Sequence, residues 1–161
     1  MRRIVGILAL SAFLVATALP ASAHPGFEDP YVPAGTQTSL VLGVPSEEPS
    51  PMVGVDVTLP PDFTLVRLDQ TPGWQSTSAA GELHFNGGPA PQGTYVQFTF
   101  AGIFAKKEVL SLPVTTRASD GTSRHWQDNA SGPFPGAYLF PGYPVGKAPI
   151  PTGLSSGSGG T

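Results

Sequence analysis

The chain contains no cysteine, and this absence closes several chemical routes together. Without a thiolate there is no cysteine nucleophile, no Cys-type structural zinc site and no blue-copper centre. A secreted domain built from this sequence must also stand on its hydrophobic core, without disulfides. Methionine is scarce, with Met1 and Met52 the two present, which excludes a methionine-rich Cu(I) site. Basic residues are few and scattered, eight Lys and Arg against eleven Asp and Glu. They form no cluster that would grip a nucleic acid or an anionic membrane surface. After Leu19 no apolar run approaches the roughly 18 residues that span a bilayer. Helical periodicity is missing as well, because 20 Gly and 19 Pro interrupt the chain too often for a long helix. No Gly-rich loop leads from a strand into a helix, so there is no nucleotide fingerprint. No elbow motif surrounds a serine, and no hydrolytic triad is assigned.

What is present begins with a secretory leader. Arg2 and Arg3 precede an apolar run from Ile4 to Leu19, and Ala21-Ser22-Ala23 supplies small residues for cleavage. Residues 1–23 are expected to be removed, which sends the protein to the periplasm, cell envelope or exterior. The remaining 138 residues suffice for one domain with a real core. Loss of Arg2 and Arg3 leaves six Lys and Arg against eleven acids, a net charge of −5.

Alternation of apolar and polar residues then recurs along the chain. Leu40, Leu42 and Val44 share one face and stop at Pro45; Val53, Val55, Val57 and Leu59 stop at Pro60-Pro61. Phe63 and Leu65 start a short run, and Leu83 and Phe85 another that ends at Asn86-Gly87-Gly88. The strongest run covers residues 94–101, with Val96, Phe98 and Phe100 opposed to Tyr95, Gln97 and Thr99. Leu110, Leu112 and Val114 repeat the pattern, with Pro113 requiring an edge or a bulge. Asp120-Gly121 signals a hairpin turn into residues 122–126. About seven short strands of this kind predict an all-β fold, an antiparallel sandwich of the immunoglobulin or cupredoxin type. The domain is read as residues 24–145. Residues 146–161 are read as a Pro/Gly/Ser-rich, disordered tail. Tyr138, Phe140 and Tyr143 are candidates to cover a sheet edge.

Cleavage after Ala23 makes His24 the first residue. Its free α-amine and imidazole Nδ1 can close a chelate ring on a metal ion, while Pro25 has no amide proton to lose and offers no second backbone nitrogen. Two nitrogens plus a carboxylate suit Cu(II), which outcompetes other first-row divalent ions at N/O sites. Both nitrogens must be deprotonated, so binding weakens as pH falls through values of about 6.5 and 7.7–8.0 in model peptides. Glu28-Asp29 lies close in sequence and could supply the carboxylate. His84, between Leu83 and Phe85, points away from the core and reads as a solvated surface histidine. His125 and Trp126 are neighbours on a strand and face opposite ways. Glu47-Glu48 reads as a solvated turn between prolines, and Asp120 as a residue serving its own turn.

In combination these residues resemble the YcnI-like copper-binding domains. Val32-Pro33-Ala34-Gly35-Thr36, set at a short distance from the terminal His, is similar to the start of that family, and Val44-Pro45-Ser46-Glu47 to its Val-Pro-x-Glu step. Pro72-Gly73-Trp74, Gly93-Thr94-Tyr95-Val96-Gln97-Phe98 and Asp120-Gly121 through Trp126 match further family motifs in the same order. The resemblance implies a cupredoxin-like sandwich with a Cu(II) site made by His24, Glu47 and Trp126. Glu28 is the alternative carboxylate, and Trp74 reads as core packing. With few ligands and an exposed terminus such a site can exchange its metal, so the chain is expected to be a copper carrier or metallochaperone that passes its ion to a transporter or to a copper enzyme under assembly, and not an enzyme itself. Pro25 and Gly26 replace the usual β-forming residues, so the first strand is expected to be loose. Gln97 stands where many relatives carry an acid. The membrane anchor of many relatives has no counterpart, which implies a soluble protein. Two other readings stay open. One is a copper-dependent oxidative enzyme of the polysaccharide-cleaving kind, which needs His84 or His125 to converge on His24. The other is an extracellular interaction domain that binds no metal.

Overall fold

A computed structural model describes residues 24–127 and 136–149. The expected leader, residues 1–23, and residues 150–161 of the expected tail lie outside the described residues. Every regular element described is a β-strand.

One sheet has the order β1-β2-β7-β4, formed by Gly26–Phe27, Gln37–Pro45, Tyr95–Phe104 and Phe63–Leu68. The facing sheet has the order β10-β9-β3-β6-β5, formed by Ser123–Trp126, Val114–Ala118, Met52–Thr58, Glu82–Ala90 and Trp74–Ala79. All pairings within both are antiparallel. Side chains alternate across a strand, so each sheet sends one set inward. Leu40, Leu42 and Val44 from β2 and Phe98, Phe100 and Phe104 from β7 meet Val55, Val57, Leu83 and Phe85, all buried. Phe98 stacks on Phe85 at 4.1 Å between ring centroids and takes the edge of Trp74 at 5.2 Å. Trp74 is therefore a core residue.

About seven strands were expected, and eleven are present among the described residues. The difference has physical causes. Leu110–Leu112 and Val114–Ala118 are separate strands because Pro113 lacks an amide hydrogen; its carbonyl instead accepts from Thr58 N at 3.0 Å. The first of these, β8, leaves the main sheet and pairs with β11, Ala137–Leu139. Beyond β11 the chain runs beside residues 30–32, with Phe140 N donating to Pro30 O at 2.7 Å and Gly142 N to Val32 O at 2.8 Å. This segment and β11, which packs against β1, cover the β1 side of the sandwich, the task for which Tyr138 and Phe140 were candidates. β1 itself is two residues long.

β5 lacks an apolar alternation, since its inward positions after Trp74 include the small, buried Ser76. Its outer edge is closed by a side chain. Gln70 Nε2 donates to Ser76 O at 3.1 Å, and Ser76 N donates to Gln70 Oε1 at 3.1 Å, so one side-chain amide imitates a neighbouring strand. An unpaired edge is a template for another chain. Gln70→Ala should therefore raise the propensity to self-associate while leaving the circular dichroism of the monomer unchanged. Sedimentation velocity over a concentration series measures this.

At the β9–β10 hairpin Asp120 serves its turn as expected. Its carboxylate accepts from the Thr122 hydroxyl at 2.7 Å, Thr122 N at 2.9 Å and the Ser50 hydroxyl at 2.8 Å. These bonds, the Thr122 hydroxyl first, hold its pKa below the ordinary carboxylate value. A depressed folded pKa adds stability above the unfolded pKa and loses it as pH falls through the folded one. Asp120→Asn keeps an acceptor oxygen and removes the charge. It should melt below the wild type at neutral pH, with the gap closing below about pH 4, as thermal melts across pH would reveal.

Candidate functional site

The β1–β2 register pairs Gly26 with Gly43 and Phe27 with Leu42, and Glu28 N donates to Val41 O at 3.1 Å. His24 precedes β1 by two residues, and Glu47 follows the end of β2 by two residues. Parity separates the neighbours. Pro25 is buried and Phe27 turns inward, edge-on to Phe100 at 6.2 Å, while His24 is exposed. A buried proline immediately after it thus fixes the backbone from which His24 projects. His24 also borders a shallow groove of about 320 Å³, lined in part by Pro25, Phe27, Pro30, Tyr138 and Phe140.

Glu47 and Glu48 follow a pinned piece of backbone. Ser46 N donates to Thr94 O at 2.9 Å, Gly93 N to Ser46 O at 2.8 Å, and the buried Ser46 hydroxyl to Ala90 O at 2.9 Å. The expectation of a solvated turn is corrected here. Both carboxylates meet Arg124: Nη1 donates to Glu47 Oε2 at 2.6 Å, and Nε donates to Glu48 Oε1 at 2.6 Å. The side chains of Glu47, Glu48 and Arg124 are 20, 26 and 22 % exposed. An isolated charge at such depth would be costly, so the guanidinium and two carboxylates stabilise one another. The group retains one net negative charge.

Trp126 lies on the same face of β10 as Arg124, two residues earlier. It is fully buried, and its Nε1 donates to Thr116 Oγ1 at 3.4 Å. Arg124 Cζ lies 5.4 Å from the Trp126 ring centroid, a cation–π contact. Glu47 and Trp126 therefore meet at one end of the sandwich through Arg124, a residue that the reading of the sequence missed. A signal for it was available. Parity with Trp126 turns Arg124 toward the core, and a core-facing guanidinium requires an acidic partner, which the Glu47-Glu48 pair could supply.

Glu28 is exposed and accepts from Gln97 Nε2. Across the same face the Tyr95 ring lies over Gly43, where any Cβ would collide with it. Burial, and secondarily Glu28, raises the Tyr95 pKa above the ordinary phenol value, so it stays a neutral donor.

The other histidines lie on the outer face of the second sheet. One ladder row reads His125, Thr115, Asp56, His84, Thr77 across five strands. His125 Nδ1 is 3.0 Å from Thr115 Oγ1, with its side chain turned away from Trp126 as parity required. His84 points outward too, but it is not merely solvated. Its Nδ1 is 2.8 Å from Asp56 Oδ1, and Arg117 Nε donates to Asp56 Oδ2 at 2.9 Å. Neither ring converges on His24, which precedes β1 of the opposite sheet. Among the described residues no group of three or more His, Asp or Glu side chains stands close enough together to hold a metal ion.

No family model and no curated protein matches this sequence. Solved structures do. An uncharacterized protein from Nocardia farcinica with an immunoglobulin-like fold superposes with a TM-score of 0.63 at 22 % identity, covering 74 % of this chain and 99 % of that one. The fold is thus an immunoglobulin-like β-sandwich. A non-cellulosomal cohesin from the archaeon Archaeoglobus fulgidus gives a TM-score of 0.48 at 9 % identity, covering 73 % of this chain and 89 % of that one. A type I cohesin from Clostridium thermocellum gives 0.46 at 9 % identity, covering 73 and 97 %.

Proposed function

We propose that this chain is a secreted or periplasmic Cu(II)-binding protein, a carrier and not an enzyme, whose metal is captured at His24 after the leader is removed. The amine and imidazole of His24 form the chelate, and Glu47 supplies the carboxylate. The observation that carries the reading is the doubled acid on Arg124. One carboxylate neutralises a guanidinium, so Glu48 can hold Arg124 while Glu47 turns to a cation at His24. The exposure of His24 and the buried Pro25 behind it support a terminus that is positioned yet open to exchange. Such a site suits cargo that is taken up and passed on to a transporter or a copper enzyme under assembly.

The carrier reading is favoured over the oxidative enzyme because no second histidine converges on His24 among the described residues. A chelator-competition titration of protein beginning at His24 tests it. One equivalent of Cu(II) should bind, and Glu47→Gln should weaken binding about tenfold, with Glu28→Gln close to wild type. The reverse order would transfer the ligand role to Glu28. No stoichiometric binding would leave the sandwich as an interaction domain.

A further inference from the structure

We infer that Arg124 is an internal stand-in for the metal, a built-in competitor that sets how tightly this protein holds copper; the inference rests on the copper reading above. The guanidinium already occupies a place made for a cation. It sits between two carboxylate oxygens, each at 2.6 Å, with its carbon 5.4 Å from the Trp126 ring centroid. Glu47 and Trp126, which the family resemblance assigns to the metal, are thus both engaged by Arg124. A Cu(II) ion at His24 gains Glu47 by taking it from Arg124, and reaches the face of Trp126 by moving the guanidinium aside.

The two acids then have different tasks. Glu48 keeps Arg124 neutralised while Glu47 is away, so the exchange leaves no unpaired charge in a part-buried place. Removing Glu48 would leave Glu47 as the remaining one of these two carboxylates on Arg124 and would strengthen the competition. Removing the guanidinium would abolish it. The consequence for a carrier is direct. The protein supplies a replacement cation on release, so Glu47 is not left unpaired when the metal departs.

The test uses proteins beginning at His24: wild type, Arg124→Gln, Glu48→Gln and the double variant, each titrated with Cu(II) against a chelator. Gln retains the first methylenes of the arginine stem and a polar head without the charge. Arg124→Gln should bind Cu(II) about tenfold tighter or more, matching the loss of one competing charged hydrogen bond. Its copper should also transfer more slowly to excess chelator. Glu48→Gln should bind about tenfold more weakly, and that penalty should vanish in the Arg124→Gln background. Circular dichroism checks the fold of each. If Arg124→Gln fails to fold, Glu48→Gln alone decides, and unchanged affinity there overturns the inference. Wild-type binding of one equivalent, with Arg124→Gln no tighter, overturns the stand-in role and leaves the copper reading intact. Absence of binding in both wild type and Arg124→Gln overturns the copper reading itself.

Discussion

One residue added ahead of His24 is expected to reduce Cu(II) affinity by at least about 100-fold. Extension converts the α-amine into an amide, and an amide nitrogen cannot donate to the metal until it loses its proton. The chelate ring then opens to a single imidazole donor. Loss of an outer partner of a metal ligand already costs about 10–100-fold, so loss of an inner donor should cost more. The change touches nothing in the core, because His24 is exposed and the first buried residue is Pro25. Thermal stability without metal should therefore be equal in the two proteins, which separates loss of a ligand from loss of the fold. Acetylation of the His24 amine should act like extension. Equal affinity in native and extended proteins would show that the terminus is no ligand.

The second large effect falls on the core. Trp126 has no exposed surface and is among the largest fully buried side chains. Trp126→Ala should destabilise by about 3–5 kcal/mol, from the cavity and the lost transfer energy. Arg124 also loses the ring beneath it. For a domain of ordinary stability, about 5–15 kcal/mol, that removes a large fraction of the total. Urea unfolding with a shifted midpoint and an unchanged slope would measure it. Trp126→Phe is the gentler probe and should still fold. Cu(II) quenches indole emission at short range, so copper should dim the wild type, while Trp126→Phe should lose most of that effect. Trp74→Phe should keep the quenching and lose stability, since Trp74 packs edge-on to Phe98. Quenching that vanishes with Trp74 and survives without Trp126 would place the metal elsewhere.

The strands that could be read from the sequence are those with several large apolar residues at alternate positions. Leu40, Leu42 and Val44 disclosed β2, and Val96, Phe98 and Phe100 disclosed β7, because both bury one face against the same core. β5 stayed hidden, since Ser76 occupies a buried position without an apolar side chain and Gln70 closes the edge from outside. β1 and β11 are two and three residues long and owe their existence to tertiary pairing, which no local pattern records.

The site shows the same division. Strand parity correctly turned His84 away from the core and His125 away from Trp126. It could not foretell that Asp56 and Arg117 would engage one of them, because cross-strand partners depend on register. Glu47 and Glu48 looked like solvated loop acids because their counter-ion lies 77 and 76 residues away in sequence.

Electron paramagnetic resonance of the protein beginning at His24, with one equivalent of Cu(II) at slightly alkaline pH, tests the central claim most directly. The account predicts a single type-2 copper species whose superhyperfine structure shows two equatorial nitrogens, the amine and imidazole of His24. The one-residue extension should lose this signal, and His84→Ala and His125→Ala should leave it unchanged. A spectrum of unbound copper, or two-nitrogen coupling that disappears with His84 or His125, would contradict it.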